Sequence, residues 1–502
     1  VDQKLMPWIS TQSPPPTDKD QIYNGMDSLL THEIFGAISA LGPHPPAYRF
    51  ERALQAPFLE IMQRGFRIDP FEREKQTRRL ESEIVHLQSV LDTFSCAIWD
   101  RPLNANSPHQ LKQFFYETMG FPEEFSSTKG ERKVSVNREA LEKLDDYFMA
   151  RPLVTCILGL RERQKQLSVF KTEIDPDGRW RTSYNIGGTE TGRLSSSASA
   201  FGTGSNSQNL APQLKPMFVA DPGYRLYSID LEQAESREVG WLCGLLFDDW
   251  TYLDTCESGD LHTLTAKLIW PGLDWTGDPK ADRKVAEQQF YREFSYRDMS
   301  KRGGHGSNYL GTPFTMARHL KVPPKLMEDF QDSYFTAFPG IQKWHLWVAS
   351  ELATKQTITT PFGFERTFFG RQNDPATLRE AVAFSPQSST AHRTNLALLR
   401  MWERLGADIQ LLAQVHDAIV FQARESIPPL ELAQAALNII ESVQTTYNGR
   451  TFKVPGECKC GWNWGYPQYD KQGNLIGNPD GLMKLTSSAL LRTRTNNLSR
   501  VL

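Results

Sequence analysis

Little in this 502-residue chain points to a disulfide-built, membrane or fibrous protein. It has only six cysteines, too few for a disulfide framework over that length. Cys458 and Cys460 form a lone pair with no second Cys or His pair at zinc-ligand spacing nearby, so free thiols in a reducing compartment are expected. No apolar run approaches the roughly 20 residues of a membrane span, and no secretory leader is evident. Charge of neither sign is in excess: 56 Lys+Arg against 59 Asp+Glu leave −3. That balance excludes a histone-like basic binder, but not a local basic groove beside an acidic site. There is no internal repeat. The chain begins at Val1 rather than Met, which reads as processing or as a cut from something longer. The composition left, 39% hydrophobic and 23% charged, is that of an ordinary soluble protein with length for two to four domains or one large multi-lobed one.

The first third reads as mostly helical, after a polar tail through Asp20 that carries Pro14, Pro15 and Pro16. Apolar spacing marks helices over 21–40, 52–64, 71–94, 138–149 and 153–170, and Ser107 caps another. The last of the long helices carries Arg161, Arg163 and Lys165, with Lys171 beyond. That basic run is read as a solvated helix face, with phosphate contact as the sharper alternative. From Trp180 the character changes: a strand over 181–186 is followed by a long Ser/Gly-rich loop to Asn209, a length uncommon unless the loop binds something. Residues 291–320 read as helical but weakened by Gly303, Gly304 and Gly306. Hairpins are expected over 357–371 and 409–421, helices over 377–404 and 428–446, a closing strand region over 452–464, and a disordered polar tail from Lys471.

Three constellations stand out. Tyr227, Ile229 and their neighbours suit a strand, while Leu231 to Glu235 are helix formers, so Asp230 sits where a strand gives way to a helix. Asp417 lies between two apolar runs in 414–421, which fit a hairpin; its turn, His416-Asp417, is a poor choice where Asn-Gly is favoured, a hint of function. Singly, the two aspartates read as a helix cap and a turn residue. Together they suit the holding of divalent cations for phosphoryl transfer, which needs carboxylates from separate elements. Next, Arg297, Lys301, His305 and Tyr309 step by four and so share one helix arc of about 120°. Two cations there suit a triphosphate and a ring suits a base; a solvated basic face would carry acidic partners four residues away, and it has none. Last, Thr191 to Ser196 with Gln208 and Asn209 offers backbone, Arg and amide groups to sugar and phosphate, where the plain alternative is a flexible linker.

Taken together, these stretches resemble family A DNA polymerases over roughly residues 52–466. The resemblance implies an α+β, right-hand polymerase fold: a palm with an antiparallel sheet, helical fingers and a helical thumb. It places a tail and exonuclease-like remnant over 1–50, the thumb mainly over 51–170, palm over 171–250 and 376–470, fingers over 251–375, and a C-terminal tail over 471–502. By resemblance, two magnesium ions, replaceable by manganese, are held by Asp230, Asp417 and the Leu231 backbone. Glu235 crowds the sugar 2′ position and selects deoxynucleotides. Arg297 and the catalytic Lys301 grip the triphosphate, with Gln233, His262, His305 and Tyr309 also at the nucleotide. Arg193, Gln208, Asn209, Arg379, Gln387 and His416 fall on primer-template contacts.

The chain departs from the family at His305, where Phe or Tyr is usual, at Ala418, where many members carry a glutamate, and at Ala383, which replaces an amide. None of these removes a metal ligand. Residues 23–35 resemble the last motif of a proofreading exonuclease, and its earlier motifs have no room here, so no proofreading is expected from this chain. A separate exonuclease or processivity partner stays open. Primer-template DNA and deoxynucleoside triphosphates are the implied partners, in a bacterial or phage-infected cytoplasm at the nucleoid, away from membranes. Three other readings remain: a single-subunit RNA polymerase or primase, which Glu235 disfavours; a silent DNA-binding replisome subunit; and a metal nuclease.

Overall fold

A computed structural model of the chain describes residues 16–40, 42, 46–128, 131–372, 374–470 and 472–485. The N-terminal part of the expected tail, through residue 15, most of the break after residue 40, and residues 486–502 lie outside these. The chain divides into two compact units, Val1–Gln55 and Ala56–Leu502. In the first, a helix covers Pro16–Ser39, starting earlier than its apolar spacing indicates.

The second unit is organised on a five-stranded antiparallel sheet. Its strands are β1 (Tyr224–Leu231), β2 (Ile409–Val415), β3 (Ala418–Arg424), β4 (Gly456–Gly461) and β5 (Met483–Lys484), in the order β2-β3-β1-β4-β5. β1 is central, and its Leu226 to Ile229 are buried. Tyr227 stacks on Phe421 of β3 with centroids 5.0 Å apart, a cross-strand pair of the kind that fixes register. β5 corrects the reading of a disordered tail from Lys471: Met483 and Lys484 pair with Cys460 and Lys459. Two residues of strand leave no readable alternation, which is why they escaped notice.

Among the described residues, buried apolar side chains gather in three clusters, one of which includes the sheet. One is built from Phe66, Trp180, Phe218 and Trp464 with sheet residues such as Leu226 and Val420. A second gathers Phe114, Phe115, Leu141, Ile157 and Leu160. The third holds Met299, Phe330, Tyr334, Trp344 and Ala381. Helix α1 (Pro70–Trp99) is about 45 Å long at 1.5 Å per residue. It joins the first two clusters, giving Leu80 to one and Leu91 to the other. Its Asp69 cap accepts from the Phe71 and Glu72 amides. Helix α2 (Arg151–Phe170) packs beside it. The basic run of α2 and the residue after it is solvated only in part: Lys165 and Lys171 are exposed, while Arg161 and Arg163 are turned to protein partners. Arg161 donates to the Ala105 and Val136 carbonyls, Arg163 pairs with Glu83 and Lys171 with Glu81.

Other departures have local causes. Ser195–Ala198, expected within a loop, pairs with Thr182–Asn185; serine has little strand preference of its own, and the partner strand supplies the ladder. The helix expected over 428–446 stops at Glu441. Gln444–Tyr447 then pairs with Arg450–Lys453 around Asn448 and Gly449, both at positive φ, a turn for which Asn-Gly is the favoured pair. The helical reading of 291–320 begins too early, because Gln289–Tyr291 and Phe294–Ser295 form a hairpin. Three helices complete the frame used below: α3 (Ala234–Phe247), α4 (Tyr296–Asn308) and α5 (Pro375–Leu405).

Candidate active site

Asp230 closes the exposed end of β1, one residue before Leu231 ends the strand and four before α3 begins. Opposite it on β3 stands Ala418, in direct register. Asp417 is the second residue of the two-residue turn between β2 and β3, and its carbonyl accepts from the Leu231 amide at 3.3 Å. The two aspartates are therefore neighbours across adjacent strands, brought together from 187 positions apart (417 minus 230). His416 takes the first turn position at φ 57°, left-handed backbone that an imidazole enters at a cost and glycine would enter freely. The turn is tied down from below: Gln414 donates to the His416 carbonyl, Gln208 donates to Gln414, and Ser196 donates to Gln208.

Burial raises both carboxyls of this pair, and the charge of Asp230 adds to the rise at Asp417. The Asp417 carboxyl is pushed up to about 6, by burial first and then by Asp230. Asp230 meets solvent, yet the protein packed around it still lifts its carboxyl above the ordinary value, with Lys459 opposing. Two such carboxylates fit a divalent cation, which removes their mutual repulsion. Among the described residues no group of three or more His, Cys, Asp or Glu could hold a metal ion. Asp230 and Asp417 offer two carboxylates, with an alanine rather than a third acid at 418.

Above the pair, α4 closes one side of a cavity of about 450 Å³. The cavity brings together Arg193, Gln233, Glu235, His262, Lys301, His305, His416 and Asp417. Asp230, Leu231, Arg297, Tyr309, Gln208, Asn209, Arg379 and Gln387 do not line it. Asp230 adjoins it through Asp417, and Arg379 stands exposed on α5. The glycines of α4 do not weaken it: a Cβ on Gly303 would come within 2.5 Å of the Phe330 ring, and one on Gly306 within 2.3 Å of the Met316 sulfur. Their role is close helix packing, which holds α4 as one unbroken helix.

Glu235 and Arg193 line the cavity and are tied to Tyr309, which lies outside the lining. Glu235 on α3 is ion-paired with Arg193 and accepts from the Tyr309 hydroxyl at 2.5 Å. Burial and this carboxylate hold the tyrosine proton far above its ordinary range. Tyr309 also meets the His305 ring edge-on, centroids 4.9 Å apart. Lys301 is exposed on α4. Arg297 differs from expectation: it is clamped by Asp260, Nε to Oδ2 at 2.7 Å and Nη2 to Oδ1 at 3.0 Å. The acidic partner missing from its own helix comes from the start of the helix Leu261–Ile269, a pairing between elements that spacing within one segment does not reveal. His262 is pushed down to about 4, by burial and, against Asp260, by Arg297, Lys301 and His305, so it is a neutral ring. Sequence reasoning also passed over Ser300, Tyr252, Tyr334 and Thr390, which line the cavity, and Glu457, which faces Asp230 from β4.

Among known proteins, the model of DNA polymerase family A matches residues 72–466. The thermostable DNA polymerase I of Thermus filiformis is 29% identical over 441 residues, covering 82% of this chain and 47% of that protein. DNA polymerase I of Chloroflexus aurantiacus is 24% identical over 485 residues, covering 89% of this chain and 47% of that protein. The chain thus spans about half the length of these curated relatives. A solved structure described as the POL domain of Pol1 from M. smegmatis in complex with DNA primer-template and dNTP superposes with a TM-score of 0.67. It is 22% identical and covers 82% of this chain and 69% of that one, a likeness that bears on fold and agrees with the α+β, right-hand architecture. With the family's model matched across both aspartates and the helix above them, this chain belongs to DNA polymerase family A.

Proposed function

We propose that this chain is a template-directed DNA polymerase that adds deoxynucleotides to a primer 3′ end. The observation that carries the reading is the register of the sheet, which sets Asp230 beside Asp417 under the Lys301 face of α4. The sheet and its flanks serve as palm over 171–250 and 376–470, the segment 251–375 as fingers and 51–170 mainly as thumb. Primer-template DNA and deoxynucleoside triphosphates are the substrates, as in the complex of the mycobacterial relative.

The reaction is an in-line displacement. The primer 3′ oxygen bonds to the α-phosphorus, the bond from that phosphorus to the bridging oxygen breaks, and pyrophosphate leaves. Family A polymerases depend on divalent metal; here two magnesium ions on Asp230, Asp417 and the Leu231 carbonyl would acidify the primer hydroxyl and neutralise the leaving group. Lys301 binds the triphosphate as a point charge, and Arg297 joins it by sharing or leaving Asp260. His262, neutral, contributes a ring nitrogen without adding charge. His305 packs against the sugar. Glu235, fixed by Arg193 and Tyr309, stands as a rigid wall where a ribose 2′-hydroxyl would go. Arg193, Gln208, Asn209, Arg379, Gln387 and His416 would contact the primer-template, a role that fits work at the nucleoid.

That rigid wall favours DNA over RNA synthesis as the activity. The test is primer extension with deoxynucleotides and with ribonucleotides, each with and without magnesium. Extension with deoxynucleotides alone, and only with the metal, is expected. Equal use of ribonucleotides would favour the RNA polymerase reading, and no extension at all would favour a silent DNA-binding subunit.

A further inference from the structure

The sheet face that carries Asp230 also carries a lysine whose placement needs explanation. Directly across β1 and β4, Asp230 faces Glu457, and Ser228 faces Lys459. Residues in register share a face, as do residues two apart on one strand. Asp230, Glu457 and Lys459 therefore project to the same side.

Lys459 is nevertheless not paired with Asp230. Its ammonium bonds Glu457 at 3.1 Å. The other Glu457 oxygen is taken by Lys484 of β5 at 2.7 Å, so the carboxylate is gripped from both sides and its orientation fixed. Three-quarters of the Lys459 and Glu457 side chains is covered (24% and 26% exposed), whereas Lys484 is 65% exposed. The plain structural account is that Glu457 merely separates two lysines that oppose each other across β4 and β5.

We propose that Glu457 is a positioning residue that restrains Lys459 and so leaves the Asp230 carboxylate open to a divalent cation. Without that restraint the ammonium, already on the same face, turns to Asp230 and occupies it as an internal counter-ion. A bound lysine and a bound metal are then competitors for one carboxylate. On the other flank of Asp230, Ala418 adds no carboxylate beyond the neighbouring Asp417. The inference rests on the reading of Asp230 as a metal ligand.

The test is Mn²⁺ binding to the full chain, without DNA or nucleotide, followed by the electron paramagnetic resonance signal of the free ion. Asp230→Ala should lose affinity, which checks the metal site itself. Glu457→Gln should weaken binding about 10-fold, the scale of one ammonium reaching a part-exposed carboxylate. Glu457→Gln with Lys459→Met should return to within about 3-fold of the unaltered chain, while Glu457→Gln with Lys484→Met should stay weak. Lys459→Met alone, which leaves the Glu457–Lys484 pair in place, should bind as tightly as the unaltered chain or tighter. If Asp230→Ala loses Mn²⁺ but Glu457→Gln keeps it, the restraint is refuted and the metal site survives. Equal rescue by the two lysine changes would also refute it, since simple charge balance would then suffice. Unchanged binding by Asp230→Ala would remove the metal site and the restraint together.

Discussion

The Asp417 carboxyl, lifted to about 6 by burial and Asp230, ties the stability of the chain to pH. A carboxyl raised in the folded state favours folding while it is protonated, and that contribution is lost as pH rises through about 6. Without divalent cations, Asp417→Asn should therefore melt higher than the unaltered chain at pH 8, by about 1–2 °C, with the gap closing toward pH 4. Added Mg²⁺ should raise the unaltered chain and not the variant. Thermal melts at the two pH values, with and without the ion, decide this; a gap that is the same at both would contradict it. Lys301 makes a different kind of contribution. A charge-assisted contact of about 1.5–3 kcal/mol implies that Lys301→Ala raises the nucleotide KM on the order of 10- to 100-fold while duplex affinity holds. Equal loss of both would contradict the assignment. At this scale the sequence was informative where chemistry interrupts a pattern. Asp230 and Asp417 stand out because each is an acid set in apolar strand residues. Asp260 and Glu457 do not, because what matters about them is a partner on another element.

At the scale of elements, periodicity located the long helices and the β2–β3 hairpin, since each alternates or repeats over many residues. It failed where the cause of a fold is contact with a distant segment. Gly303 and Gly306 looked like flaws in α4, but the Phe330 and Met316 side chains that fill their places lie on other helices. Gly303→Ala should thus destabilise the protein by about 1–3 kcal/mol through overpacking, although alanine improves helix propensity by nearly 1 kcal/mol. Denaturant unfolding gives the sign, and a stabilised variant would show that the glycine serves something other than packing. The Asn448-Gly449 hairpin is the opposite case: its signal was local and strong, and the apolar residues before it concealed it.

At the scale of the whole molecule, the apolar side chains of the described residues gather in separate clusters rather than one core, and α1 contributes to two of them. Composition alone does not disclose such a partition, because it carries no information on which apolar residues meet. What the molecule as a whole achieves is a meeting of distant parts. The β1–β3 register sets the aspartates side by side, α3 and the 191–196 loop supply the Glu235–Arg193 wall, and α4 lowers Lys301 over them. No segment alone holds the site, so the claim to test is that the two aspartates act as one centre. The most direct measurement is single-turnover primer extension by Asp230→Ala and Asp417→Ala, with duplex affinity measured on the same samples. Each change should cut the rate at least about 1,000-fold, since residues acting as one unit lose nearly everything when either is removed, with duplex Kd within about 3-fold of the unaltered chain. An Asp417→Ala chain that still extends primers at near its original rate would contradict the account.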